Sequence, residues 1–208
     1  KWRFAVAVPQ MPDANRPRLK QWVGKISDTV GEADTGVFLV GHSLGTVAIL
    51  KYLETVSSDR KIGGAVLVAG FSEPFPNMPG KLNNFFAGKT DFKKIARSVK
   101  IFIVINSDND PFVPVQCGEA LSDKLNAAFM IMPGAGHIRQ DEEFIQFPEA
   151  LRSVVEMSRV KGGTMRKLVL WNIILQISDG LFSSYLMNQG LQEKNPVTKI
   201  FLNTWGDT

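Results

Sequence analysis

Short apolar runs, each followed by a stretch with helical spacing, constrain this chain more than any other feature. The strand-like runs lie near Phe4–Val8, Val37–Val40, Gly64–Ala69, Lys100–Asn106 and Ala128–Met132. Helical patterns fall near Arg18–Val30, Leu44–Thr55, Phe92–Ser98 and Val115–Leu125, with another at Asp141–Met157. Strands that alternate with helices fit a parallel sheet, because each parallel connection crosses over through a helix. The run ending at Asn106 is nearly continuous in apolar and β-branched residues (Ile101, Phe102, Ile103, Val104, Ile105), as strands covered on both faces are. The expected class is therefore α/β, and a ligand site in such a sheet falls at the C-terminal ends of its strands.

At one of those ends stands Gly41-His42-Ser43-Leu44-Gly45, which joins Val37-Phe38-Leu39-Val40 to a helical stretch that begins Thr46-Val47-Ala48-Ile49. A serine hydroxyl is a weak nucleophile unless it is lifted clear of the chain and given a base. A strand-to-helix turn of the form Gly-x-Ser-x-Gly does the lifting, with Gly41 and Gly45 where larger side chains would clash. The pattern alone is weak; its strand-turn-helix setting marks Ser43 as the candidate nucleophile. The competing reading is a glycine-rich turn around a buried, hydrogen-bonded serine.

The base must come from two histidines. His42 sits in the turn with its side chain directed away from the nucleophile, and reads as a packing residue beneath it. His137 follows the last strand in Met132-Pro133-Gly134-Ala135-Gly136-His137, where a flexible loop suits a general base. The carboxylate that would orient it belongs after the Lys100–Asn106 strand, in Ser107-Asp108-Asn109-Asp110-Pro111-Phe112-Val113-Pro114. Two aspartates compete there. Asp110 precedes a proline that fixes the following turn, whereas Asp108 is better placed to bond loop amides. Asp110 is preferred, and the order Ser43, Asp110, His137 is the chain order of α/β-hydrolases.

These three motifs resemble the small serine hydrolases related to retinoblastoma-binding protein nine and the YdeN-like bacterial proteins. Phe4 to Trp22, with Val-Pro-Gln-Met-Pro and Pro-Arg-Leu-Lys-Gln-Trp, is similar to that family's second strand and first helix. The likeness spans roughly residues 3 to 157. It implies a compact α/β-hydrolase sheet with little or no lid, hydrolysis of small acyl esters or related bonds, and the aspartate before Pro-Phe-x-Pro (Asp110) as the triad acid. In the family an earlier strand ends in a His-Gly loop whose amide supplies half of the oxyanion hole. Here the chain begins at Lys1 and runs directly into a strand, so only the Leu44 amide can be assigned to the oxyanion. The expectation is a fragment whose sheet lacks its first strand, the one normally between the Phe4–Val8 and Val37–Val40 strands. Phe71 to Thr90, rich in Pro, Asn, Gly and Phe, is a candidate pocket wall or else an ordinary surface loop.

The sequence divides into a hydrolase domain at 1–158 and a tail at 159–208. Residues 1–158 hold 18 Lys+Arg and 17 Asp+Glu, net +1, and the tail holds 6 and 3, net +3. A basic excess confined to the tail argues against a nucleic-acid partner. Residues 168–187 form a mostly apolar stretch of about the length a bilayer requires. Asn172, Gln176, Asp179 and Ser183 would share one face of a helix there, and Arg159, Lys161, Arg166 and Lys167 precede it. The expectation is a hydrophobic C-terminal helix that spans or touches a membrane, with the hydrolase domain in the cytoplasm. Its alternative is an amphipathic helix docked on the sheet or a partner. The tail also weakly resembles a small prokaryotic membrane domain.

Cys117 is the only cysteine, which excludes an intrachain disulfide, and no metal-ligand spacing or phosphate-binding glycine loop is present. No cofactor is expected. The functional expectation is an esterase acting on a small-molecule acyl substrate through Ser43, His137 and Asp110. The rival is a non-catalytic interaction module that uses the fold as a tethered scaffold, and covalent labelling of Ser43 separates the two.

Overall fold

The computed structural model describes residues 4–139, 147–159, 166–171 and 192–193. In chain order the elements are β1 (Phe4–Ala7), α1 (Leu19–Val30), β2 (Val37–His42), α2 (Leu44–Leu53), β3 (Gly64–Val68), a 3-10 helix (Gly80–Phe86), α3 (Phe92–Ser98), β4 (Phe102–Ser107), α4 (Val115–Leu125), β5 (Ala128–Met132), α5 (Pro148–Arg159), β6 (Arg166–Trp171) and β7 (Gln192–Glu193). The strands form one parallel sheet in the order β5-β4-β3-β2-β6-β1-β7.

Period-two alternation along the strands makes two cores, one on each face of the sheet. Val37, Leu39, Ala65, Leu67 and Val104 join Trp22, Ile26, Ile49, Leu53, Ile95 and Leu121 under the first four helices. Phe38, Val40, Val66, Val68 and Ile105 face the other way and meet Ala150, Val154 and Met157 of α5. α1 buries Trp22, Ile26 and Val30, four residues apart, so a single stripe reaches the core. The Trp22 ring meets Phe85 edge-on at 5.2 Å, and its indole N–H donates to the Pro12 carbonyl at 2.8 Å. Each such fully buried side chain contributes about 1.5–3 kcal/mol. Phe71 and Phe85 are buried as well, which ties the two ends of the Phe71–Thr90 segment into this core.

Helix ends follow local chemistry. α1 stops at Gly31, whose φ of 67° is open to glycine, and α4 stops at Asn126 in the left-handed conformation. Asp91 caps α3 by accepting the Lys94 N–H at 2.9 Å. The helix expected over Asp141–Met157 begins only at Pro148, where a proline suits the first helical position. Residues 141–146 lie outside the described part of the chain.

The tail departs most from expectation. Residues 168–171 were expected to open a hydrophobic helix; they belong instead to β6. Its backbone pairs with β2 on one side (Phe38 with Leu168, Gly41 with Trp171) and with β1 on the other (Phe4 with Arg166, Ala7 with Val169). The position between β1 and β2, expected to be vacant, is therefore filled by a strand from the C-terminal part of the sequence. Lys167-Leu168-Val169-Leu170-Trp171 satisfies either reading of its apolarity, and the unpaired backbone edges of β1 and β2 favour the strand. The remainder of the 168–187 stretch, including the stripe from Asn172 to Ser183, lies outside the described residues. Among those described, no helix is long and apolar enough to cross a membrane, so the membrane expectation finds no support.

Candidate active site

Ser43 stands between β2 and α2 with φ 53° and ψ −122°, a left-handed conformation that a non-glycine residue adopts only under strain. Such a conformation costs on the order of 1–3 kcal/mol and persists only where its surroundings enforce it. Here the Ser43 N–H donates to the Val68 carbonyl at 2.8 Å, and the Ser43 carbonyl accepts from Thr46 Oγ1 at 2.7 Å. A side chain at Gly41 would place its Cβ 2.7 Å from Ile49 Cδ1 and 3.0 Å from the Gly45 carbonyl carbon and oxygen. The turn therefore closes without crowding only with glycine at 41. Leu44 is the first residue of α2. Its N–H is one of the helix-start amides that have no acceptor within the helix, at the positive end of the helix dipole.

His137 and Asp110 arrive from the ends of β5 and β4. His137 Nδ1 donates to Asp110 Oδ2 at 2.7 Å, and their side chains are 1% and 0% exposed. The other Asp110 oxygen accepts the Phe112 and Val113 N–H groups at 2.8 and 3.0 Å. A proton on Nδ1 leaves His137 Nε2 with a free lone pair, the form a general base requires. Asp108 does not face the imidazole; it accepts the Gly134 N–H at 2.8 Å. That matches the amide-bonding part read for Asp108 from the sequence.

Two further residues of this loop escaped the sequence reading. Ser107 Oγ accepts the Ala135 N–H at 3.0 Å, and Asn109 Oδ1 accepts the Gly136 N–H at 2.7 Å. Four successive side chains of one loop (Ser107, Asp108, Asn109, Asp110) thus hold four successive residues of the other (Gly134, Ala135, Gly136, His137). The signal available was the polar density of Ser107-Asp108-Asn109-Asp110, but its partner loop could not be named without the β4–β5 register. Gly134, Gly136 and Ile138 all have positive φ, so the base-bearing loop is tightly coiled around His137. A positive φ at a β-branched residue such as Ile138 is a sign of local constraint.

Phe112 was also missed as a site residue. Its ring, 52% exposed, stands edge-on to His137 at 5.1 Å and carries the Arg139 guanidinium 5.1 Å from its centroid. Ser43 is joined to this group through His42, whose ring packs against that of His137 at 4.8 Å. The structure thus brings Asp110 and His137 into direct contact, and Ser43 follows directly on His42, whose ring packs on His137. Among the described residues no hydrogen bond joins Ser43 Oγ to His137; such bonds are often long before substrate binds. No cluster of metal-ligating side chains occurs among the described residues.

Comparison with known proteins identifies the family. The model of the serine hydrolase family matches residues 3–156. The YdeN protein of Bacillus subtilis is 35% identical over 138 residues, which is 66% of this chain and 72% of YdeN. Serine hydrolase RBBP9 of Rattus norvegicus is 25% identical over 154 residues, 74% of this chain and 78% of that protein. The crystal structure of the Bacillus subtilis YdeN gene product superposes with a TM-score of 0.69 at 32% identity, covering 73% of this chain and 81% of that one. A meta-cleavage product hydrolase from Pseudomonas fluorescens, 14% identical with a TM-score of 0.51 over 72% of this chain and 75% of its own, shares the fold. An α/β-hydrolase sheet that carries a strained serine turn, matched by this family over most of its length, places the chain in the serine hydrolase family.

Proposed function

We propose that this hydrolase cleaves small carboxylic esters through an acyl-enzyme on Ser43. Ser43 Oγ attacks the acyl carbon while His137 Nε2 takes its proton. The tetrahedral oxyanion receives the Leu44 N–H at the start of α2. The imidazolium then protonates the departing alkoxide, and the acyl group stays on Ser43 as an ester. Water enters, loses its proton to His137 Nε2 and attacks the acyl carbon. Collapse returns Ser43 to its hydroxyl form and releases the carboxylic acid. Asp110 holds the imidazole in the tautomer that keeps Nε2 bare and stabilises the imidazolium when it forms.

The observation that carries this reading is the buried His137–Asp110 bond of 2.7 Å at the C-terminal ends of β5 and β4, on the same edge of the parallel sheet as the Ser43 turn. A buried carboxylate costs several kcal/mol in desolvation unless it is paired and hydrogen-bonded. Here both of its oxygens are engaged, and one of them in aiming a histidine. Hydrolysis of p-nitrophenyl acetate by the full chain, with Ser43→Ala and His137→Ala as controls, tests the proposal. Turnover that disappears in both variants is expected. Turnover at the wild-type rate in Ser43→Ala would remove Ser43 from the mechanism.

A further inference from the structure

His42 is a buried histidine that the proposed mechanism leaves unused, and its two nitrogens are treated very differently. Nε2 lies 2.8 Å from the carbonyl oxygen of His137. A carbonyl only accepts, so Nε2 carries the proton and donates it. Nδ1 is then a bare acceptor, buried and without a hydrogen-bond partner among the described residues. A buried acceptor left unsatisfied weakens the fold, and a phenylalanine would fill the same space without that penalty. What the imidazole supplies and a phenylalanine cannot is the Nε2–H.

The recipient of that proton is the peptide group of the general base itself. The base-bearing loop is held on its amide side by Ser107, Asp108 and Asn109, which take the N–H groups of Gly134, Ala135 and Gly136. Asp110 holds the His137 ring. His42 holds the carbonyl, and its ring also packs against His137 at an interplanar angle of 66°. We propose that His42 is a positioning residue for the general base: its Nε2–H fixes the His137 peptide so that the imidazole Nε2 faces Ser43. The proposal rests on the reading of Ser43, Asp110 and His137 as a triad, and links the nucleophile turn to the base loop through adjacent residues of one strand end.

The neutral state of His42 suits this task. His137, Asp110 and Arg139 are the charged or titratable groups that act on it. Burial first, then His137, push its pKa down to about 3. It therefore adds no positive charge beside an imidazolium forming on His137.

Histidine-labelled nitrogen NMR on the full chain reads the clamp directly, because the chain has only two histidines. One ring is expected as the neutral tautomer protonated at Nε2, unchanged from about pH 8 to about pH 5, with its signals lost in His42→Gln. A charged ring at position 42, or one protonated at Nδ1, would overturn the proposal without reference to activity. Fluorophosphonate labelling of Ser43 supplies the second reading. His42→Phe is expected to slow it about tenfold to a hundredfold and to move its pH midpoint. His42→Gln, which keeps an N–H at similar reach, should recover most of the rate and the original midpoint. Should His42→Phe fail to fold, His42→Asn, whose shorter amide cannot reach the carbonyl, replaces it. Equal slowing by Gln and Phe would assign His42 to packing, and an unchanged rate in Phe would remove it altogether. Failure of the wild-type chain to label would strike the triad reading, and the tautomer measurement would then decide the clamp alone.

Discussion

β2, β3, β4 and β5 lie side by side in chain order, whereas β6, β1 and β7 come from opposite ends of the sequence. In the first group each strand returns through a short crossover that carries a helix, so both the pairing and the handedness follow from local chain geometry. In the second group the backbone of β1 is joined to that of β2 only through β6, which pairs with both, although the Phe4 and Phe38 rings meet edge-on at 6.1 Å. The place of β1 depends on a segment that follows all five α-helices of the described residues in the sequence. The candidate chemistry belongs to the consecutive half: Ser43 follows β2, Asp110 follows β4 and His137 follows β5. Yet β2 borders the other half, and Gly41, two residues before Ser43, pairs with Trp171. The lesson is that a site can be encoded in one half of a sheet while its geometry leans on the other.

The sharpest break of this contrast is to end the chain after Arg159. That removes β6 and β7, leaves one edge of β2 unpaired and strips β1 of its partners. The expected result is loss of the cooperative thermal transition; melting within about 3 °C of the full chain, less than about 1 kcal/mol, would mean that β6 is dispensable. Within the consecutive half, Asp110→Asn should cost about a thousandfold to ten-thousandfold in kcat, because the imidazole loses the acceptor that fixes its tautomer. Its melting temperature, measured alongside, should fall far less than in the truncated chain.

Acid stability probes the seam where the halves meet. The folded chain keeps His42 unprotonated down to about pH 3, while the unfolded chain takes up that proton below its ordinary pKa of 6.5. The unfolded state therefore binds more protons in this window. Stability falls as pH drops through it, by at most about 1.4 kcal/mol per pH unit from this residue, and is fully present above it. Urea melts of wild type and His42→Gln at about pH 7 and about pH 5 should show the wild type losing about 2 kcal/mol more than the variant.

Gly41→Ala forces a Cβ against Ile49 and the Gly45 backbone, and should cost about 1–3 kcal/mol in chemical denaturation together with activity. Asp108→Asn is expected to be the mildest change. An asparagine oxygen can still accept the Gly134 N–H, so activity should stay within about threefold and stability within about 0.5 kcal/mol. A loss from Asp108→Asn larger than from Asp110→Asn would exchange the parts given to the two aspartates.

How much of this the sequence revealed follows the same division. β5, α3 and α4 have the bounds that periodicity implies, and β2 and α2 differ only at their ends, because apolar alternation and helix caps are local signals. Ser43, Asp110 and His137 were nameable from motifs whose residues lie close in sequence. The comb of Ser107, Asp108 and Asn109 on the base loop was not, since it depends on which strand lies beside β4. β6 was not either. Leu168, Val169, Leu170 and Trp171 are apolar in either conformation, and what selects a strand is an open pair of edges elsewhere in the chain. His42 reads as packing because its place in the turn directs the side chain away from Ser43, and it is buried. Its hydrogen bond to a carbonyl 95 residues away carries no sequence signature.

The most direct test of the account is fluorophosphonate labelling of the full chain, with the adduct mapped by mass spectrometry and Ser43→Ala as control. The account predicts a single adduct, on Ser43, that disappears in the control. An adduct on another residue, or one that persists at equal yield in Ser43→Ala, would contradict it.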